Sequence, residues 1–260
     1  MTGITMTTSL SQKTNYWLAN RELCSSPRIR LFCFPYSGAG ASIFRTWQNS
    51  FPPNIEICPV MLPGRESRLR EPLYTELPPL VKAVADALAP YFNVPIAFFG
   101  HSMGALLSFE LARYLRRHFQ LQPVHLFISA HSAPHLTRAE TSVANLPEAD
   151  FVTRLREMRG TDEAILACTE LREIILPILR ADFSVCETYE FLPDEPLDCP
   201  ITVFGGLDDP YIKRDELDHW KTHTYGSFKL RMLPGNHFFL NGQCKLLIES
   251  ISRDLFPNGM

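Results

Sequence analysis

No stretch of this 260-residue sequence approaches the roughly 18 consecutive apolar residues of a membrane-spanning helix. A basic excess is missing as well: 25 Lys and Arg against 28 Asp and Glu leave a formal net charge of -3. That balance argues against nucleic acid as a partner, because such binders carry a basic stripe and a high pI. The seven cysteines are odd in number and include no C-x-x-C pair, which fits reduced thiols in a cytosolic protein better than a disulfide framework. Residues 1–13, rich in Thr and Ser, lack the basic segment and continuous apolar stretch of a secretory signal. Gly38-Ala39-Gly40 stops short of G-x-G-x-x-G, so no dinucleotide cofactor is expected. His219 and His223 are four apart, but the segment lacks the glutamate of H-E-x-x-H, and no metal is expected. The expectation is a cytoplasmic protein without cofactor, metal, membrane or nucleic acid.

The composition, 45% hydrophobic and 20% charged, is that of an ordinary globular chain, and 260 residues fit one large domain. After a variable lead-in over 1–25, short apolar runs at Arg28 to Phe34, Ile55 to Leu62, Ile96 to Phe99, Val124 to Ser129, Ile201 to Phe204 and Lys229 to Leu233 read as strands. Cys33 and Cys58 lie inside two of them and read as small core residues. Helical spacing appears at 76–92, where Leu77, Leu80, Val81, Val84 and Leu88 share a face, and again at Ala105 to Arg117. Strands alternating with helices predict an α/β fold with a mostly parallel central sheet flanked by helices. Residues 134–197 break the rhythm with helical pattern alone, at Glu148 to Met158 and Leu171 to Leu179. They are expected to form a helical lid over the sheet, with Gly160-Thr161-Asp162 as a flexible joint.

The chemistry centres on Gly100-His101-Ser102-Met103-Gly104, a G-x-S-x-G sequence placed after a short strand and at the start of a helix. The glycines permit a sharp turn that exposes the Ser102 hydroxyl as nucleophile, and the helix start aims the backbone N–H of Met103 at a developing oxyanion. A serine hydroxyl needs a base, and His237 follows the last predicted strand, where a loop at the carboxyl edge of the sheet would carry it. His131 also ends a strand and is the rival; His101 adjoins Ser102 but points to the other face. For the carboxylate that orients the base, Gly205-Gly206-Leu207-Asp208-Asp209 offers two candidates. Asp208 is preferred because it completes a G-x-x-D pattern, and Asp209 is read as a turn or cap residue. The chain order Ser102, Asp208, His237 is that of the α/β-hydrolases. The second oxyanion donor is expected from the loop after the first strand: Ser37, or alternatively Tyr36, since Pro35 has no N–H.

These segments resemble the type II thioesterases that accompany nonribosomal peptide and polyketide synthases, and their relative, the medium-chain thioesterase of fatty-acid synthesis. The resemblance runs from about Trp17 to Phe256 and rests on residues 32–40 (FCFPYSGAG), 62–68 (LPGRESR), 98–104 (FFGHSMG), 179–183 (LRADF), 204–209 (FGGLDD) and 235–239 (GNHFF). Ser37 stands where alanine is frequent in the family, and Asn236 where glycine or aspartate is. The resemblance implies nucleophile, acid and base at Ser102, Asp208 and His237, an oxyanion loop at Tyr36 and Ser37, and hydrolysis of misprimed or stalled acyl groups from the phosphopantetheine arm of a carrier domain acting in trans. The phosphopantetheine belongs to the substrate. Arg65, Arg68 and Arg70 form a basic cluster suited to an acidic carrier surface. A general esterase or an acyl-CoA thioesterase is the enzymatic alternative. A non-catalytic hydrolase-like binding module is the alternative of another class, and labelling by a fluorophosphonate probe separates it from an enzyme.

Overall fold

The computed structural model describes residues 16–19, 27–136 and 142–256. Cys24 and most of the lead-in lie outside them. Each expected strand is present: β1 (Ile29–Phe34), β2 (Ile55–Pro59), β3 (Ile96–His101), β4 (His125–Ser129), β5 (Ile201–Gly206) and β6 (Phe228–Leu233). They form one sheet in the order β2-β1-β3-β4-β5-β6, and every pairing is parallel. A parallel sheet puts the carboxyl ends of all its strands on one edge, and the reactive groups collect there.

Strands β1 to β5 are buried along their whole length because both faces of the sheet are covered, whereas β6, at one edge, is only partly buried and carries Lys229 and Arg231. Alternation along β1 sends Phe32 and Phe34 to one core and Leu31 and Cys33 to the other. The first core is closed by α1 (Leu77–Leu88), through Leu80, Val84 and Leu88, and by α2 (Met103–Phe119), through Leu107, Leu111 and Leu115. Cys58 joins this core. The second core holds Trp47, Phe51 and Phe99, closed by Leu247, Ile248 and Ile251 of a C-terminal helix described below. Each fully buried Leu or Phe contributes roughly 1.5–3 kcal/mol, so these two layers carry most of the fold's stability.

Between β4 and β5 the chain builds no strand among its described residues. It forms α3 (Glu148–Met158), α4 (Glu163–Ala167) and α5 (Thr169–Glu187), which share a small apolar cluster of Val143, Phe151, Val152, Leu155, Leu166, Leu176 and Leu179. At the expected joint between α3 and α4, Gly160 lies against the Phe238 ring, and Gly160 and Asp162 are exposed. After β5 come α6 (Arg214–Asp218), α7 (Phe239–Gly242) and α8 (Cys244–Leu255). Part of the lead-in is built in as well, since Leu18 bridges Val60 and the Trp17 ring receives the Arg68 guanidinium at 3.9 Å.

Candidate active site

Ser102 sits between β3 and α2 with φ 53° and ψ -118°, a conformation that costs on the order of 1–3 kcal/mol and persists only where its surroundings enforce it. The enforcement is visible on both sides. The Ser102 N–H donates to the Ser129 carbonyl at 2.8 Å, and its own carbonyl accepts from Ala105 at 2.9 Å. A side chain at position 100 would collide with the backbone of Gly104, and one at position 104 with the backbone of Phe34, so both glycines of the motif are required by close approach. Met103 is the first residue of α2, and its N–H therefore has no acceptor within the helix.

The carboxylate bonded to His237 is that of Asp209, which corrects the expectation for Asp208. Asp209 Oδ2 lies 2.8 Å from His237 Nδ1, and its side chain is 1% exposed. The cause lies in β5, which runs to Gly206, two residues beyond the expected Phe204. The turn then spans Gly206 to Asp209, closed by the Asp209 N–H on the Gly206 carbonyl at 3.4 Å, and its two corner residues, Leu207 and Asp208, are exposed. Asp209 returns to the interior. Its Oδ1 accepts from the amides of Tyr211 at 2.8 Å and Ile212 at 3.2 Å, which fixes the carboxylate plane. Burial raises the Asp209 carboxyl pKa, but the bond and charge of His237 and the two amides outweigh it, and the net result is below the ordinary carboxylate value.

His237 is held on its other side by His101. The His101 ring is buried between Nε2 and the His237 carbonyl, 3.0 Å apart, and Nδ1 and the Ser129 hydroxyl, 2.9 Å apart. A carbonyl only accepts, so Nε2 of His101 carries the proton and Nδ1 accepts from the hydroxyl. Burial and the neighbouring His237 push the His101 pKa down to about 3, consistent with a neutral ring that serves as a strut. Sequence reading set His101 aside as a base; its structural role had no sequence signal beyond adjacency to Ser102.

Tyr36 and Ser37 follow β1 and line the same cavity as Ser102, Met103 and His237. The Tyr36 ring meets those of His101 and Phe238 edge to face, with centroids 5.7 and 5.2 Å away. This cavity, of about 610 Å³, is roofed by the insertion through Leu155, Met158, Leu179 and Phe183. His131 also lines it, but its Nδ1 is directed to the Ser132 carbonyl at 2.7 Å; the carboxylate belongs to His237. His219 and His223 stand beside His135, whose Nδ1 is 2.7 Å from His223 Nε2; among the described residues no such cluster is arranged to hold a metal.

The basic cluster does not survive as a docking surface. Arg65 and Arg68 are each 5% exposed and paired, with Asp182 and Glu71 respectively, leaving Arg70 exposed. Spacing alone could not show that two of three neighbouring arginines turn inward.

A strained serine after a central strand, a histidine–aspartate pair on two later loops and an all-parallel sheet define an α/β-hydrolase. The chain belongs to the thioesterase domain family, whose model it matches over residues 29–255. It is 45% identical over 248 residues to gramicidin S biosynthesis protein GrsT of Aneurinibacillus migulanus, covering 95% of this chain and 96% of that one. Among solved structures it is similar to the thioesterase RedJ of the prodiginine pathway in Streptomyces coelicolor, with a TM-score of 0.83 and 41% identity over 88% of this chain and 91% of that one. The type II thioesterase BorB of the borrelidin biosynthetic cluster superposes with a TM-score of 0.84 at 31% identity, over 92% and 97% of the two chains. The resemblance drawn from the motifs is thereby established. Among the described residues no helix is long and apolar enough to cross a membrane.

Proposed function

We propose that this enzyme hydrolyses acyl thioesters carried on the phosphopantetheine arm of carrier domains that visit in trans, and so clears misprimed or stalled acyl groups from a peptide or polyketide synthase. The observation that carries the reading is the placement of Ser102, at a strained turn, in the same cavity as His237 with its bonded Asp209. His237 Nδ1 gives its hydrogen to Asp209, which leaves Nε2 as the basic nitrogen. As Ser102 Oγ attacks the thioester carbonyl, Nε2 takes the hydroxyl proton and the carbonyl π electrons pass to oxygen. The oxyanion is met by the backbone N–H of Met103 and by that of Ser37 or Tyr36. Collapse expels the thiol with the proton from His237. Water, deprotonated by the same nitrogen, then cleaves the acyl-serine and releases the carboxylic acid. The chemistry calls for no resident cofactor or metal.

The test compares one acyl group on a holo-carrier, on CoA and on a simple oxygen ester. The expected result is highest kcat/KM on the carrier, with Ser102→Ala inactive on all three. Equal kcat/KM on carrier and CoA would overturn the carrier assignment, and full activity of Ser102→Ala the nucleophile.

A further inference from the structure

Two motifs from distant parts of the chain, 62–68 and 179–183, meet at one buried ion pair. Arg65 Nη1 and Nη2 donate to Asp182 Oδ2 at 2.7 Å and Oδ1 at 2.8 Å, and the two residues are 5% and 3% exposed. Both partners reach further. Asp182 Oδ2 also accepts the backbone N–H of Gly38 at 2.7 Å, and Arg65 Nη1 also donates to the Ala39 carbonyl at 3.2 Å.

Gly38 and Ala39 are the second half of a turn whose first half is Tyr36 and Ser37. The Ala39 N–H closes it on the Tyr36 carbonyl at 3.0 Å, and Gly38 has φ 79°, the positive value that the third position of a type II turn requires. Fixing the Gly38 N–H fixes the peptide plane shared with Ser37. Fixing the Ala39 carbonyl pins the far end of the turn. The turn is also covered by the same helix that supplies the carboxylate, since Leu179, three residues before Asp182 on α5, packs on Gly38. Stability alone is a weak reason for such a pair: desolvation offsets the attraction of a buried ion pair, and well-packed apolar replacements are often as stable.

We infer that Asp182 and Arg65 are positioning residues that orient the Tyr36–Ser37 amides toward the oxyanion, and that they make this hole dependent on the seating of α5 over the site. The inference rests on the proposed Ser102 mechanism. A hole built of backbone amides acts through angle and distance, so a small rotation of the turn reduces kcat while leaving the substrate cavity in place.

The experiment measures kcat and KM for an acyl-CoA together with inhibition by a trifluoromethyl ketone analogue, which forms an oxyanion on Ser102, and by the matching alkyl-CoA thioether, which has a methylene in place of the carbonyl and forms none. Asp182→Asn retains an oxygen for Gly38 but presents an amide to Arg65, and Arg65→Lys keeps the charge without the fork. For each variant the expected outcome is a fall in kcat of roughly 10- to 100-fold with KM changed less than about threefold. The Ki of the ketone should rise in step with the loss in kcat/KM, and that of the thioether should stay constant. Folding is followed by circular dichroism; if Asp182→Asn does not fold, Arg65→Lys decides. Unchanged kcat in a folded variant, equal weakening of both inhibitors, or loss of fold in both variants overturns the inference. Ser102→Ala is run in parallel: if it stays active the mechanism itself fails, whereas an inactive Ser102→Ala beside a fully active Asp182→Asn overturns this inference alone.

Discussion

Asp209 Oδ2 lies 2.8 Å from His237 Nδ1, while the exposed carboxylate of the preceding residue, Asp208, stands at the corner of the same turn. The two adjacent acids therefore make unequal contributions. Asp209→Asn is expected to lower kcat by about 10³- to 10⁴-fold, because the amide permits the wrong imidazole tautomer, and Asp208→Asn to leave it within about twofold. Steady-state kinetics on an acyl-CoA check this, and equal losses would place the orienting acid elsewhere.

His101 supports the His237 carbonyl from inside the fold. His101→Leu removes that donor and leaves both the carbonyl and the Ser129 hydroxyl without their ring partner. The expected result is a loss of roughly 1–3 kcal/mol in urea unfolding and lower kcat, with slower labelling by a fluorophosphonate. Wild-type labelling would show that the His237 loop holds its place unaided.

Acid should destabilise the protein before its carboxylates are protonated. Burial holds His101 to about 3, and burial with neighbouring charges holds His125 and His223 to about 4. Unfolded imidazoles titrate near 6.5, so below that value the unfolded chain binds protons that the folded one refuses. Stability is therefore complete above about pH 6.5 and lost progressively toward pH 4, with these three histidines contributing as many as about three protons to the slope. His125→Phe, which preserves the stack on Phe127, should flatten that slope by about one proton in urea unfolding at pH 7 and pH 5. An unchanged slope would contradict the assignment.

The cavity sets an upper bound on the acyl group. Cys186 on α5 lines it, and Cys186→Phe should lower kcat/KM for a long-chain acyl thioester by at least about tenfold while sparing an acetyl thioester. Parallel losses on both would indicate that the substrate lies elsewhere.

The insertion is expected to open and close. Its apolar cluster holds only seven buried residues, and Leu171 and Ile174 of α5 are exposed, whereas α2 is buried along most of its length. Amides of α3 and α5 should exchange faster than those of α2, and slow when a non-hydrolysable acyl-phosphopantetheine mimic is bound. Core-like protection, unaltered by the mimic, would make the insertion a fixed layer.

Strands β1 to β5 were legible because each is a short, mostly apolar run buried on both faces, and α3 because its apolar residues keep helical spacing from Glu148 to Met158. Ser102 and His237 were legible as residues next to strand ends. Asp209 was not, because choosing between adjacent acids depends on where β5 stops, and Gly205-Gly206 resembles a turn rather than the end of a strand. The inward turn of Arg65 and Arg68 was hidden for a different reason: their partners Asp182 and Glu71 are 117 and 3 residues away, and only the folded chain shows which of them is buried.

The reacting groups come from separated parts of the chain, while much of the wall of the acyl chamber comes from one contiguous insertion between β4 and β5. Such a layout invites exchange of that insertion between relatives to inherit a new substrate range. The graft has one obligatory passenger. Without an aspartate at the place of Asp182, the host would retain Arg65 as a buried cation with no counterion, and the transplanted enzyme would fail through its scaffold before its selectivity could be read.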